Sequence, residues 1–266
     1  MNKKNIYIFT NGTDVSLKTE EILREKLIAN GLTVFDELTS DVGLIVCIGG
    51  DGTLLTALHE FAFPDIPFVG INTGHLGFFQ EVRVEKIDIF IERYLEGKYQ
   101  IQELATVGAE IKIGDKVVKR KALNELAIKA GGSHTIHLDI SIGGSFIERF
   151  SGDGILIATP AGSTGYNYSL GGAIVDPRIK LLQVTPIAPM NSTAYRSFTS
   201  SILLPPDMEI GIVPDNVDNG LFIAGDGREY KYQSADEIKV GLSETSVHLI
   251  RFEGYDFWDK VKKKFL

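Results

Sequence analysis

Gly43-Leu44-Ile45-Val46-Cys47-Ile48-Gly49-Gly50-Asp51-Gly52-Thr53 is the stretch from which the fold can be read. Residues 43–48 are the most apolar run in the chain, and an unbroken apolar run of this length reads as a strand buried on both faces. A glycine-rich turn follows it and hands over to a helical pattern across residues 54–63. The turn therefore lies at the carboxyl end of a buried strand, where open α/β sheets bind their ligands.

Outward from this unit the same alternation recurs. Strand-like runs lie at residues 6–9, 32–35 and 68–71, and a charged helical stretch at 16–29 carries Leu23 and Leu27 one turn apart before a stop at Asn30-Gly31. Ile87, Phe90, Ile91, Tyr94 and Leu95 also fall at helical spacing. Short apolar runs alternating with helical patterns mark a parallel sheet flanked by helices, so residues 1–100 are expected to form an α/β lobe.

Past residue 100 the period becomes two. Val107, Ala109, Ile111 and Ile113 alternate up to Gly114-Asp115, and Ile136, Leu138, Ile140 and Ile142 alternate up to Gly143-Gly144, which are hairpin patterns. Further strand runs at 201–204, 208–213, 221–224, 238–242 and 247–252 make residues 101–250 a mainly β lobe. Phe257, Trp258, Val261 and Phe265 return to helical spacing, and residues 251–266 are expected to pack back on the first lobe.

Composition narrows the function. The 266 residues are 44% hydrophobic and 23% charged, ordinary for a globular protein with a large core. The formal charge of -8, with no basic cluster beyond residues 260–264, argues against a reader of nucleic-acid backbones. The apolar run at residues 6–9 is too short for a signal peptide, and no run approaches the roughly 20 apolar residues that span a bilayer. With one cysteine, Cys47, in a strand-like run, the expected address is the cytoplasm, with no membrane partner. His59, His134, His137 and His248 show no zinc spacing, and no side-chain metal site is expected.

The chemistry centres on the glycine turn. Gly49, Gly50 and Thr53, at a helix amino terminus, suit the approach of a phosphate. Asp51 is the odd member, since a carboxylate among phosphates is electrostatically costly. It makes sense as a base facing a hydroxyl, being normally ionised at neutral pH (reference value about 3.9). The alternative is that Asp51 or Thr53 caps the helix. Neither G-x-x-x-x-G-K-[ST] nor G-x-G-x-x-G occurs, which disfavours a Walker-type ATPase and an ordinary Rossmann dehydrogenase.

Gly49-Gly50-Asp51-Gly52-Thr53 resembles the turn of a superfamily that includes NAD kinases and the diacylglycerol and sphingosine kinases. Three further segments are similar to NAD kinases in order and spacing: Asn72-Thr73-Gly74-His75-Leu76-Gly77-Phe78, then Ala122-Leu123-Asn124-Glu125, then Gly152-Asp153-Gly154 with Thr159-Pro160-Ala161-Gly162-Ser163-Thr164-Gly165-Tyr166 and Ser169-Leu170-Gly171-Gly172. The likeness runs from about residue 45 to 172. Ala161 and Gly165 depart from the usual Thr-Pro-Thr-Gly-Ser-Thr-Ala-Tyr, and Ser151 stands where many members carry arginine or another long polar side chain. Tyr195 and Asp226 sit where further family positions fall.

The resemblance implies a Rossmann-like first lobe, a sandwich-like β lobe supplying most NAD contacts, and an active site between them. It implies that Asp51 deprotonates the 2'-hydroxyl of the adenosine ribose of NAD while Gly49, Gly50 and Thr53 hold the phosphates of ATP, or of polyphosphate, with Mg²⁺. As substrate contacts it implies Gly52, Asn124, Glu125, Asp153, Ser163, Thr164, Gly165, Tyr166, Ser169 and Ala188, and as assembly a homotetramer. Because adjacent strand residues point to opposite faces, Asn124 and Glu125 can meet one ligand only where the strand is irregular. A lipid kinase using the same turn would need an apolar pocket, which the hydroxyl-rich segment at 159–172 argues against. A non-catalytic NAD-binding sensor is the other alternative, and the presence of Asp51 makes it less economical.

Overall fold

The computed structural model describes residues 2–132, 134–191, 196–215 and 220–266. The chain forms two compact units, one of Met1–Glu103 with Val247–Leu266, the other of Leu104–Ser246.

The first unit begins with β1 (Asn2–Thr10), α1 (Asp14–Ala29), β2 (Thr33–Phe35), β3 (Val42–Gly49), α2 (Asp51–Glu60), β4 (Phe68–Asn72), β5 (Gln80–Arg83) and α3 (Ile87–Leu95). Its strands are all parallel in the order β2-β1-β3-β4-β5. Every residue of β3 is buried, as its unbroken apolar run requires of a central strand covered on both faces. Leu44, Val46 and Ile48 share one apolar cluster with Leu23 and Leu27 of α1 and Ile87, Phe90 and Ile91 of α3. Fully burying such a side chain is worth about 1.5–3 kcal/mol, so the two leucines alone anchor α1 firmly. Helix α2 packs on β3 and β1 and buries Leu54, Ala57 and Leu58.

Helix α2 stops at Glu60 rather than at residue 63. Ala62 and Phe63 adopt φ of 54° and 58°, and the amides of Phe63 and Ala62 donate to the carbonyls of Leu58 and His59. This is a Schellman closure built without glycine, so the sequence gives no stop signal there.

The second unit takes the chain through β6 (Gln100–Ile113), β7 (Lys116–Ala122), β8 (Glu125–Ala130), β9 (Ile136–Ile142), β10 (Ser145–Gly152), β11 (Gly154–Ala158), the short α4 (Tyr166–Ser169), β12 (Leu182–Ile187), β13 (Ile202–Leu204), β14 (Ile210–Asp215), β15 (Leu221–Gly225), β16 (Arg228–Tyr232) and β17 (Glu237–Arg251). One of its sheets runs β10-β9-β14-β17-β6-β7; the other, wholly antiparallel, runs β13-β12-β11-β8-β15-β16. Val107, Ile111, Leu138, Ile140 and Ile212 of the first meet Leu126, Ile128, Ile155, Ile157 and Val184 of the second in one core, which makes the unit a β-sandwich. The runs at 238–242 and 247–252 are one strand, β17, continuous through the polar Ser243-Glu244-Thr245-Ser246.

Strands β8, β11 and β12 carry no alternation because both their faces are covered. All five residues of β11 and all six of β12 are buried. On the face away from the sandwich core, Ala127, Leu156, Ala158 and Ile187 form their own cluster, against which Leu170 packs.

Beyond the sandwich, Leu249 of β17 pairs in parallel with Phe68 of β4, and α5 (Phe257–Phe265) closes the first unit. The Asp256 carboxylate caps α5 by accepting the amides of Trp258 (2.8 Å) and Asp259 (3.3 Å). Phe257 and Val261 form the buried face, while Trp258 points outward. Among the described residues no helix is long and apolar enough to cross a membrane.

Candidate active site

In the first unit the glycine turn joins β3 to α2, with Gly50 as the helix N-cap and Asp51 as its first residue. Asp51 does not cap that helix. Its Oδ2 accepts the amide of Phe78 (2.8 Å) and its Oδ1 that of Phe79 (3.0 Å), so the carboxylate is clamped by the segment after the Asn72 turn. Gly77 makes this closure feasible, because a Cβ there would lie 2.2 Å from Oδ1 and 2.6 Å from Cγ of Asp51. The Gln80 side chain donates to the carbonyl of Gly50 (2.8 Å), tying β5 to the turn from below. Thr53 is buried, while Gly50 is half-buried and Gly52 exposed at the helix amino terminus. The result is a glycine turn with one fixed carboxylate, its outer lone pairs unencumbered by these two bonds. His75 is exposed on the turn.

In the second unit a polar cluster gathers at the start of β8. Asn124 lies in a bend before the strand and Glu125 is its first residue, so the pair escapes strict alternation. The Asp226 carboxylate holds that bend by accepting the amides of Leu123 (2.8 Å) and Asn124 (2.7 Å). Asp226 itself sits at φ 50°, a conformation aspartate tolerates better than most residues. From the other side the Thr159 hydroxyl donates to the Leu123 carbonyl (2.6 Å) and the Thr159 amide to the Asn124 carbonyl (2.9 Å). Asn124 Oδ1 and Glu125 Oε2 are buried and lack a hydrogen-bond partner. Orphaned buried polar atoms are costly, which makes these two candidate contacts for a bound molecule.

Burial pushes the Glu125 carboxyl up to about 8, with the Asp226 charge adding to it, so the group carries its proton at neutral pH and can donate. Because the folded value exceeds 4.5, the folded chain holds the extra proton between about 4.5 and 8. The stability this confers is complete below 4.5 and is lost as pH rises through about 8. Glu125→Gln, neutral at every pH, should gain on the parent across that window, with melting temperatures diverging by about 5 °C or more between pH 5 and 9. Parallel melting curves would contradict the assignment.

The segment at 159–172 folds as a 3-10 turn, Ala161–Thr164, and α4. Its support is an interior polar network that the sequence did not reveal. Asn167, fully buried, donates to the carbonyls of Ser163 (3.3 Å) and Ala173 (3.2 Å) and accepts the Thr185 hydroxyl (2.7 Å). Asn167 falls between the two quoted runs, Thr159 to Tyr166 and Ser169 to Gly172, and no local pattern marks it. Ser163 is also fully buried, its hydroxyl bonded to the amide (3.0 Å) and carbonyl (3.2 Å) of Val175, so it anchors the segment from within. Thr164 is half-buried, and Gly165, Tyr166 and Ser169 are exposed. Asp153 and Ala188 are exposed neighbours at one corner, where the Asp153 amide donates to Ile187 (3.0 Å).

The departures have local partners. The Ser151 hydroxyl, fully buried, lies 2.8 Å from His137 Nδ1. A Cβ at Gly165 would sit 3.4 Å from Glu125 Oε2, so glycine leaves that orphaned oxygen more room than alanine would. Ala161 is half-buried, and nothing in the structure explains its departure. Tyr195 lies outside the described residues.

Among the described residues no three His, Cys, Asp or Glu side chains gather to hold a metal, and the one carboxylate of the glycine turn accepts one amide on each oxygen. Each unit by itself carries a feature found in phosphotransferases that act on a hydroxyl, a fixed carboxylate at a glycine turn in the first and buried polar atoms without a partner in the second, and that class is shown by the family to which the chain belongs. The chain belongs to the NAD kinase family: residues 10–99 match the model of the ATP-NAD kinase N-terminal domain and residues 123–252 that of the C-terminal domain. It is 36% identical over 270 residues to an NAD kinase of Finegoldia magna, covering all of this chain and 99% of that protein. It is 35% identical to NAD kinase 1 of Oceanobacillus iheyensis, covering 98% of each. The fold is shared with yeast NADH kinase complexed with NADH (TM-score 0.85, 21% identity, 97% of this chain and 86% of that one). It is shared also with an NAD kinase from Archaeoglobus fulgidus in complex with ATP (TM-score 0.77, 24% identity, 97% and 98%).

Proposed function

We propose that this protein transfers the terminal phosphoryl group of ATP to the 2'-hydroxyl of the adenosine ribose of NAD, giving NADP. The observation that carries this reading is the Asp51 carboxylate, fixed at the glycine turn by two amides and available as a base. Phosphoryl transfer needs positioning and charge neutralisation more than covalent help, so one oriented carboxylate with amides for the phosphates is sufficient. Asp51 takes the ribose proton; Gly49, Gly50 and Thr53 form the phosphate turn; Gly52 borders it. Asn124, Glu125 and Asp153 serve as hydrogen-bonding contacts to the nucleoside, with Thr164, Gly165, Tyr166, Ser169 and Ala188 lining it and Ser163 supporting them. Mg²⁺ carried on the donor's phosphates would supply charge neutralisation beside the turn of Gly49, Gly50 and Thr53.

The test is incubation of the purified chain with NAD and magnesium-ATP. NADP formation is expected. Tight NAD binding without turnover would favour a sensor, and phosphorylation of diacylglycerol or sphingosine in place of NAD would favour a lipid kinase. Polyphosphate with Mg²⁺ in a parallel reaction settles the donor.

The same reading makes the protein a cytoplasmic homotetramer. Cys47 is a free, buried thiol, which fits a reducing compartment. Exposed Phe146 and Ile147 on β10 and Val213 on β14 offer apolar area for subunit contacts. Light scattering at micromolar concentration should give the mass of four chains, and a single-chain mass would contradict it.

A further inference from the structure

We propose that Arg251 and Lys260, on the segment that returns to the first unit, are positioning residues for Asp51 and set the rate of the transfer it serves; this rests on Asp51 being the base. The connection is a single peptide group. The carbonyl of Phe78 accepts Arg251 Nη2 (3.1 Å) and Lys260 Nζ (3.2 Å), and the amide at the other end of that peptide, the N–H of Phe79, donates to Asp51 Oδ1 (3.0 Å). Two cations thus polarise the group that holds the carboxylate, and hydrogen bonds in series strengthen one another in a low-dielectric setting. The neighbouring carbonyls are held as well, Phe79 by Arg251 Nη1 (3.2 Å) and Gln80 by Lys260. The whole backbone of the clamp is fixed by side chains from the far end of the sequence.

Arg251 is itself rigidly set. Its guanidinium pairs with Glu81 (3.0 Å), donates from Nε to Gln102 (2.7 Å) and stacks on Tyr255 at 3.9 Å. Glu81 uses its second oxygen on the amide of Phe252 (3.0 Å). Lys260 is different, since its hydrogen bonds go to neutral carbonyls. Burial first, and the Arg251 charge second, bring its ammonium down to about 8, with Glu81 and Asp51 pulling upward and Lys264 downward. A cation desolvated beside another cation is a poor device for stability alone. Its position, one peptide from the carboxylate, gives it a purpose in charge control at Asp51.

The experiment is a double-mutant cycle on the full-length chain: Lys260→Met and Asp51→Asn, singly and together, with Arg251→Lys as a second variant that keeps the charge but gives up the planar fork bridging two carbonyls. Steady-state turnover, KM for NAD, and melting temperature are read for each. Lys260→Met should lower kcat about 10- to 100-fold with KM for NAD within about twofold, and Lys260→Arg should recover most of the loss. In the Asp51→Asn background the same substitution should change the residual turnover less than twofold, because its effect runs through the missing carboxylate. A kcat within twofold of the parent, or an equal loss with and without Asp51, would overturn the proposal. Should Lys260→Met fail to fold, Arg251→Lys carries the same cycle with the same expectations. The parent and Asp51→Asn arms report on the base assignment separately: a parent without NAD turnover, or an Asp51→Asn variant at parental rate, defeats that reading rather than this one.

Discussion

Asp51→Asn is expected to reduce turnover by about 10²- to 10⁴-fold, the usual effect of losing a general base. The structure adds a second consequence. The carboxylate accepts amides on both oxygens, whereas asparagine can accept on only one and would turn an NH₂ toward the amide of Phe78 or Phe79. An unsatisfied amide costs about 1–3 kcal/mol, so the variant should also melt several degrees lower while remaining folded. NAD affinity should change far less than the rate, since a base acts chiefly in the transition state. Turnover within a few-fold of the parent would reject the catalytic role and leave Asp51 as a structural clamp for residues 78 and 79.

That distinction could not be drawn before the fold was known. The sequence placed Asp51 between a buried strand and a helix and offered helix capping as the competing explanation; the helix has no side-chain cap, and the carboxylate serves a segment 27 residues away. The parallel sheet was legible because β3 and β4 up to Ile71 carry no polar side chain, and the hairpins because residues along β6 and β9 alternate between the core and the outer face up to a glycine turn. Strands β11 and β12 escaped, and β8 was reached only through the Asn124-Glu125 resemblance, because both of their faces are covered, and β17 was divided because its polar middle looks like a break. In the site, the glycine turn and the Asn124-Glu125 pair were visible as motifs. The supports were less so: Asp226 appeared only as a family position with no stated role, and Asn167 and Arg251 not at all, since Asn167 acts through buried bonds with no local pattern and Arg251 on a carbonyl 173 residues away.

Gly162→Ala should disable the second cluster. A Cβ at Gly162 would stand 2.1 Å from the carbonyl oxygen of Asn124 and 2.4 Å from its carbonyl carbon, all of it backbone. Neither side can yield by a rotamer change, so residues 159–172 must move away from the bend that carries Asn124 and Glu125. The Thr159 bonds to Leu123 and Asn124 would be the first lost. NAD affinity is expected to fall at least tenfold, about 1.4 kcal/mol, with a melting temperature several degrees lower. Calorimetry giving an affinity within twofold of the parent would show that the close approach of these two segments is not what shapes the contact.

Both variants presuppose the chemistry, and the position of the transferred phosphate tests that most directly. The reaction product of NAD and magnesium-ATP, isolated and analysed by phosphorus and proton NMR, should carry a phosphomonoester coupled to the 2' proton of the adenosine ribose. A phosphate on the 3'-hydroxyl, on the nicotinamide ribose, or on no part of the dinucleotide would contradict the account.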